Sequence, residues 1–312
     1  MNKHAHFASI GFTLVFGFSY MFSKVALAYV PPMGLIAYRY LLAFLFLEIL
    51  RRLHVIHVNV HRHQLKAIAM VVLFQPVLYS ILSIYGINLI ASSEAIMMIA
   101  LIPVFAGIIS AFVLKEVPNV KQALFILLSL SGVVYIQMSL QQVDTPSSPW
   151  GFVLVLGSVL CGAIYNVSSR HASRSLHPVD VTYFMMLVGA ITFNALYIGM
   201  LAVEGDLAGY VTRLGKIELL LPVLYLGILS SVLAFFLLNY ALSKLPAHVT
   251  GIYANLVTVI GVFAGYFILN EALYGFHFIG SAMIVMGVYG TIVSQKKHVS
   301  SPIAGQATFK DS

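Results

Sequence analysis

The chain has 312 residues, 60% of them hydrophobic and 9% charged, with a mean hydropathy of +0.96. Soluble domains carry about 45–50% apolar and about 25% charged residues, so this composition excludes a water-soluble globule and calls for lipid as the solvent. The net charge of +7 would suggest nucleic acid in a soluble protein. Here the basic residues fall in short loops between apolar runs, which fits membrane topology instead, and no nucleic-acid partner is expected. A lone cysteine, Cys161, lies inside an apolar run and excludes an intramolecular disulfide framework.

A helix needs about 20 apolar residues to cross the hydrocarbon core. Ten runs read that way, at residues 7–29, 33–50, 67–90, 94–114, 121–140, 149–168, 179–203, 218–243, 247–269 and 273–294. Lipid-exposed open strands are excluded, because their unpaired backbone groups would each cost several kcal/mol. The predicted fold is therefore an all-α integral membrane protein of ten transmembrane helices.

The first run contains Lys24 and ends in Tyr-Val-Pro-Pro with no small-x-small cleavage pattern, so it reads as a retained helix. In the second run Arg39 lies about 10 Å from the helix start at 1.5 Å per residue, and Glu48 stands three and four residues before Arg51 and Arg52, the spacing of a surface ion pair. The loop that follows carries His54, His57, His61 and His63. Imidazoles bind transition metals, but no Cys or acid accompanies these, and a solvated cytoplasmic loop with no metal site is the expected reading.

Gln75 and Tyr79 stand four apart in the third run, and Glu94 opens the fourth. Tyr165 and Asn166 lie in the sixth, Asn239 and Tyr240 in the eighth. In the ninth, Gly251, Asn255 and Thr258 share one helical face, with Tyr253 nearby. An amide in lipid must find a partner. Interhelical bonding can supply one, but for the set as a whole a polar cavity is the reading, with Gln75, Tyr79, Tyr165, Asn166, Asn239, Tyr253, Asn255 and Thr258 as candidate substrate-binding residues. Tyr20, Tyr38, Tyr85 and Tyr183 add aromatic rings with polar tips. Intramembrane charge is costly and points to function. Lys24, Arg39 and Glu94 fall in the same half of the bilayer and make a candidate ion pair that gates the cavity, couples transport or binds a carboxylate. Glu94 is the acid nominated for proton coupling.

Orientation follows from Lys and Arg. With the N-terminus in the cytoplasm, the inner side receives Arg51, Arg52, Arg62, Lys66, Lys115, Lys121, Arg170, Arg174 and Lys244 among others, and the outer loops receive only Arg213 and Lys216. Both termini are expected inside, the protein in a cell (inner) membrane, and residues 295–312 as a cytoplasmic tail. The loops 53–66, 141–148 and 204–217 are too short for a soluble domain.

Sliding the chain by 155 residues lays YGINLIASSEAIMMIALIPV (85–104) over YALSKLPAHVTGIYANLVTV (240–259) and FVLKE (112–116) over FILNE (267–271). Glu116 falls on Glu271, a pairing hard to assign to chance in a chain so poor in acids. Gly17, Tyr20 and Ser23 lie over Gly162, Tyr165 and Ser168 at a shift of 145. The chain thus reads as two five-helix units, 7–140 and 149–294. Five is odd, so the second enters the membrane upside down, an architecture of secondary transporters with the site between the halves. Each glutamate is expected to cap the helix that follows it. Gly261 and Gly265, four apart, mark a close helix contact.

FGFSYMFSKVAL early, AYRYLLAF in helix 2 and SSEAIMMIALIPVFAGIISAFVLKE through helix 4, with Gly132 and Gly287 in the helices after each Leu-x-Glu turn, resemble the EamA family of the drug/metabolite transporter superfamily over residues 7–294. Phe16 stands where a Trp commonly precedes Gly17, and Thr258 where the second repeat often has the proline seen at Pro103. The resemblance implies alternating access around a central cavity and, most often, export of amino acids, metabolites or toxic compounds. The chain carries no G-x-x-x-x-G-K-[ST], H-E-x-x-H or G-x-S-x-G, so neither ATP drive, a cofactor nor enzymatic chemistry is expected. A small organic solute is the expected cargo, with a counter-ion or proton as candidate coupling partner. A metal-ion carrier using the histidine loop and an uptake carrier of the same fold are the alternatives.

Overall fold

The computed structural model describes residues 3–87, 89, 98–140, 148–269 and 273–294. Among them there is no strand. Among the described residues nine helices are long and apolar enough to cross a membrane, and a tenth is shorter. In chain order they are α1 (Lys3–Leu27), α2 (Pro32–Arg52), α3 (Arg62–Gly86), the shorter α4 (Ile102–Val113), α5 (Val120–Ser139), α6 (Pro149–Ala172), α7 (Pro178–Glu204), α8 (Ile217–Lys244), α9 (Ala247–Ile268) and α10 (Gly275–Val293). The protein is a multi-pass membrane protein. Helix ends run past the apolar runs to take in Lys3, Arg52, Arg170 with His171, and Lys244, because the end turns of a spanning helix can carry polar residues at the interface.

The first turns follow from sequence. Pro32, Pro149 and Pro178 open their helices, where the missing N–H would have no intrahelical partner anyway. In α7 the Asp180 carboxylate accepts from the His177 N–H at 3.2 Å and from the Asn59 N–H at 3.1 Å, which also ties down the histidine-bearing loop. The expected surface pair is present: Glu48 accepts from Arg51 at 2.7 Å and Arg52 at 2.9 Å, and from the Tyr183 hydroxyl at 2.8 Å.

Three helices break regular geometry. In α3 the segment Leu73–Leu78 widens into a π-turn, with Gln75 extended (φ −140°, ψ 118°) ahead of Pro76, across a cis bond. In α8 a π-segment spans Tyr225–Ala234. In α9 the N–H groups of Ala254, Asn255, Val257 and Thr258 each reach back three residues rather than four, a tightening at mid-helix. Such departures in helices commonly mark functional positions. The 204–217 loop folds a short helix over Ala208–Leu214, and the Asp206 carboxylate just before it accepts from the Gly209 N–H at 3.0 Å.

Packing pairs α5 with α10 and α2 with α7; α1 lies on α8 and α9, and α6 on α3 and α4. One buried cluster joins α2 and α7 around Tyr38, Tyr197, Phe193 and Met185, and another joins α1, α5, α9 and α10 around Phe12, Ile136, Tyr253 and Ile284. The α5–α10 pair is a backbone-to-backbone contact. A Cβ on Gly287 would lie 2.6 Å from the Phe125 carbonyl oxygen and 2.6 Å from the Ser129 nitrogen, and one on Gly132 would lie 2.6 Å from the Gly280 carbonyl oxygen. Gly287→Ala is expected to destabilise the protein by about 1–3 kcal/mol, since the clash is with main chain that cannot step aside. Gly199→Ala, where nothing lies within 4 Å, should be neutral or slightly stabilising; thermal unfolding of both in detergent is the comparison.

The capping expected of Glu116 is corrected. Asn119 and Gln122 exchange backbone-to-side-chain bonds of 3.0 and 2.9 Å at the start of α5. Glu116 instead accepts from Arg170 Nε at 3.1 Å. The reason is the chain path. Lys115 is left-handed (φ 59°) and the Glu116 N–H reaches back to the Ser110 carbonyl, a helix-ending turn that leaves Glu116 short of the next helix. Glu271 lies outside the described residues. Gly261 meets the Gly17 carbonyl, 3.9 Å from a Cβ placed there, and Gly265 is buried.

Candidate functional site: a polar cavity between seven helices

A cavity of about 370 Å³ opens among the helices, at the lower end of the roughly 300–1,000 Å³ typical of small-molecule sites. Its wall takes Phe12, Phe16, Ser19 and Ser23 from α1, Ile36, Arg39 and Tyr40 from α2, and Gln75 from the broken part of α3 with Tyr79 and Ser80 just after it. Ile99, Ala100 and Ile102 contribute at the start of α4, and Gly162, Tyr165 and Asn166 from α6. Ser230, Phe235 and Leu238 come from α8, and Thr250, Gly251, Ala254, Asn255, Val257 and Thr258 from α9. The irregular stretches of α3, α8 and α9 all face this space. Backbone that departs from the regular α-helix is tolerated at membrane depth where it is buried in protein or lines a cavity.

Of the eight residues expected to bind substrate, six lie in the wall: Gln75, Tyr79, Tyr165, Asn166, Asn255 and Thr258. Asn239 does not. It is fully buried and works behind the wall, its Oδ1 accepting from Tyr165 at 2.9 Å and Ser169 at 2.7 Å while its Nδ2 donates to Thr182 Oγ1 at 3.1 Å. Tyr253 also points away, its hydroxyl 2.7 Å from His6 Nδ1. Both miss the wall for a helical reason: each sits on the face of its helix that packs against neighbours. Asn255 Nδ2 donates to Ser129 Oγ at 3.1 Å, which ties the tight turn of α9 to α5.

Of the three gate candidates, Arg39 is in the wall. The Lys24 side chain and Glu94 lie outside the described residues. Arg39 Nε donates to Ser231 Oγ at 2.9 Å and its NH2 group to Ser230 Oγ at 3.2 Å, with Ser19 Oγ donating onward to Ser230 at 2.9 Å. The guanidinium carbon also stands 5.6 Å from the Tyr40 ring centroid. Of the other tyrosines, Tyr38 donates to the Tyr210 carbonyl at 2.7 Å, Tyr183 serves Glu48, and Tyr85 is exposed.

Sequence reasoning overlooked Ser19, Ser230, Tyr40, Thr250 and the ring set Phe12, Phe16 and Phe235. Serine in an apolar helix usually bonds its own preceding turn, as Ser19 also does to Val15 at 2.8 Å, so it gives little signal. The adjacent Ser230-Ser231 pair in a greasy run was the readable clue. Phe16 and Phe235 meet edge to face at 5.3 Å and supply an apolar wall. Among the described residues, no group of three or more His, Cys, Asp or Glu is placed to hold a metal ion.

A helical membrane protein with a cavity of mixed polar and apolar lining among its helices fits a solute carrier, and its relatives name the kind. Residues 4–138 and 149–293 each match the EamA-like transporter family. The chain belongs to that family. An uncharacterized transporter, YcxC, of Bacillus subtilis (strain 168) is 31% identical over 307 residues, covering 97% of this chain and 98% of its own. A protein of Salmonella typhimurium (strain LT2) named a probable amino-acid metabolite efflux pump is 24% identical, covering 98% of this chain and all of its own. A crystal structure with 18% identity superposes at a TM-score of 0.77, covering 94% of this chain and 98% of that one, which is a likeness of fold.

Proposed function

We propose that the chain is a secondary exporter of small organic solutes (amino acids, metabolites or toxic compounds) that works by alternating access about this cavity. The observation that carries the proposal is the mixed wall. Amide, hydroxyl and guanidinium groups converge with phenylalanine rings on one space, fed by helices from both halves of the chain. An ionisable residue such as Arg39 at membrane depth is a functional candidate by default.

We read the halves as inverted repeats, 7–140 and 149–294, with residues 295–312 as a tail, the termini cytoplasmic and the protein in the inner membrane. The packing supports the repeats. Exchanging each helix for its counterpart five further on turns the α1–α9 contact into α6–α4, and α1–α8 into α6–α3, while α2–α7 and α5–α10 map onto themselves. Gly17 abuts Ile260 and its counterpart Gly162 abuts Ile102. The shift of 155 carries Leu73–Leu78 onto 228–233, inside the π-segment of α8, and carries Gln75 onto Ser230, both in the cavity wall. Gln75, Tyr79, Tyr165, Asn166, Asn255 and Thr258 are the proposed substrate contacts. Asn239 holds Tyr165 in place, Tyr253 ties α9 to α1 through His6, and Arg39, Lys24 and Glu94 are the proposed charged group, with Glu94 the candidate for proton coupling.

The test is untargeted mass spectrometry of spent medium and cell extract from cells overexpressing the wild type, Asn255→Ala or Glu94→Gln at matched protein levels. Export predicts one solute class enriched outside by wild type and reduced by the variants. Enrichment that survives both variants would keep export and remove these residues from the site. Accumulation inside the cells instead would reverse the direction proposed.

A further inference from the structure

We propose that the cavity recognises its solute by a carboxylate, and that Arg39 is the residue that holds it. This deepens the transport reading and rests on it. Guanidinium has five N–H donors and no acceptor. Two are spent on the hydroxyls of Ser231 and Ser230, which fix the side chain but carry no charge to balance it. Among the described residues, every ion pair lies elsewhere: Glu48 with Arg51 and Arg52, Glu116 with Arg170, Asp206 with Arg213. No carboxylate among the described residues enters the cavity wall. A positive charge held at membrane depth by neutral partners wants an anion, and the planar fork suits a carboxylate in bidentate geometry.

The surroundings define the rest of the solute. Ser19 and Ser230 form a hydroxyl chain beside Arg39, and Phe12, Phe16 and Phe235 form an apolar flank of edge-to-face rings, 6.0 and 5.3 Å between centroids. The cavity thus has a cationic end and an aromatic flank. A small organic acid with an apolar body fits both, anchored by charge and oriented by the rings.

The experiment is a binding series on the full chain purified in detergent, using three probes that share one body: phenylacetate, 2-phenylethanol and phenethylamine. Wild type, Arg39→Lys, Arg39→Gln and Glu94→Gln are compared by ligand-induced shift of the unfolding midpoint and by direct titration. The wild type is expected to bind phenylacetate in preference to the other two. Arg39→Gln should weaken phenylacetate roughly 30-fold or more, as for the loss of one partner of a buried charge pair, and Arg39→Lys should fall between, since it keeps charge but not the fork. Arg39→Lys also covers the chance that Arg39→Gln does not fold.

Equal binding of the alcohol or amine by wild type would overturn the assignment, and so would an Arg39→Gln variant that binds phenylacetate like wild type. A carboxylate preference that emerges only in Glu94→Gln would mean that the protein neutralises Arg39 itself, and the proposal would fail. Failure to bind any of the three would also overturn it. The transport reading stands or falls separately, on the solute enriched in spent medium.

Discussion

Asn239→Ala is expected to lower stability by about 2–3 kcal/mol and to impair transport as well, although the residue never touches the cavity. Its amide joins three helices: Tyr165 and Ser169 of α6 donate to Oδ1, and Nδ2 donates to Thr182 of α7. Single hydrogen bonds contribute about 0.5–1.5 kcal/mol, and those between membrane helices average about 0.6, so losing three together gives the expected range. The Tyr165 hydroxyl would be left in a buried site without this acceptor, and the Tyr165 ring forms part of the wall. Tyr165→Phe removes one of these bonds and should cost about 0.5–1.5 kcal/mol. Because the two residues share a bond, the double variant should cost less than the sum of the singles. Unfolding measurements on the four proteins decide it. Strict additivity would mean that the Tyr165–Asn239 bond contributes nothing and that the hub is only packing.

Much of the scaffold was legible because a membrane leaves the sequence few choices. The apolar runs 149–168, 179–203 and 218–243 became Pro149–Ala172, Pro178–Glu204 and Ile217–Lys244, with the run length set by bilayer thickness and the starts of the first two by proline. The run 94–114 is described only from residue 98, as the short α4 and the turn before it. What hydropathy did not give was local geometry within a run. The π-segment at Tyr225–Ala234 carries Ser230-Ser231 within an otherwise apolar run, but a change from one helical hydrogen-bond pattern to another has no composition of its own. Pro76 in α3 did carry a signal, since proline removes a donor from the helix interior.

The site was legible in its amides and tyrosines more than in its charges. Gln75, Asn166 and Asn255 stood out because an amide in lipid needs a partner, and all three reached the wall. Asn239 obeyed the same rule and satisfied its amide entirely within the protein. Sequence cannot distinguish those outcomes, because both follow from the cost of an unpaired polar group; only the direction a helix faces decides. Glu116 shows the same limit. Its position at a helix seam suggested a cap, but a left-handed Lys115 redirects the chain, and the partner is Arg170, 54 residues away.

That pairing leads to the second large effect. Arg170→Ala is expected to destabilise the protein by about 1–3 kcal/mol and to make the cavity more accessible from the face that carries Lys115, Arg170 and Lys244. Arg170 reaches Glu116 at 3.1 Å and the Leu242 and Ser243 carbonyls at 3.1 and 2.8 Å. One side chain thus fastens α6 to the turn after α4 and to the last turn of α8. Removing a partner from a buried ion pair costs about 3–5 kcal/mol, but these side chains keep 24% and 14% exposure, so solvent reduces the loss. If this face opens during alternating access, the clamp must release, and its removal should favour the open form. Thr250 lines the cavity near the start of α9, and the lone Cys161 is buried. Thr250→Cys in a Cys161→Ala background therefore reports access through labelling by a membrane-impermeant maleimide, in vesicles of each orientation. Faster labelling from the basic face in Arg170→Ala, with Arg170→Lys between it and the parent, would identify the clamp as part of the gate. Loss of stability with unchanged labelling would make it a structural tie, and the opening of that face would have to be sought in other contacts.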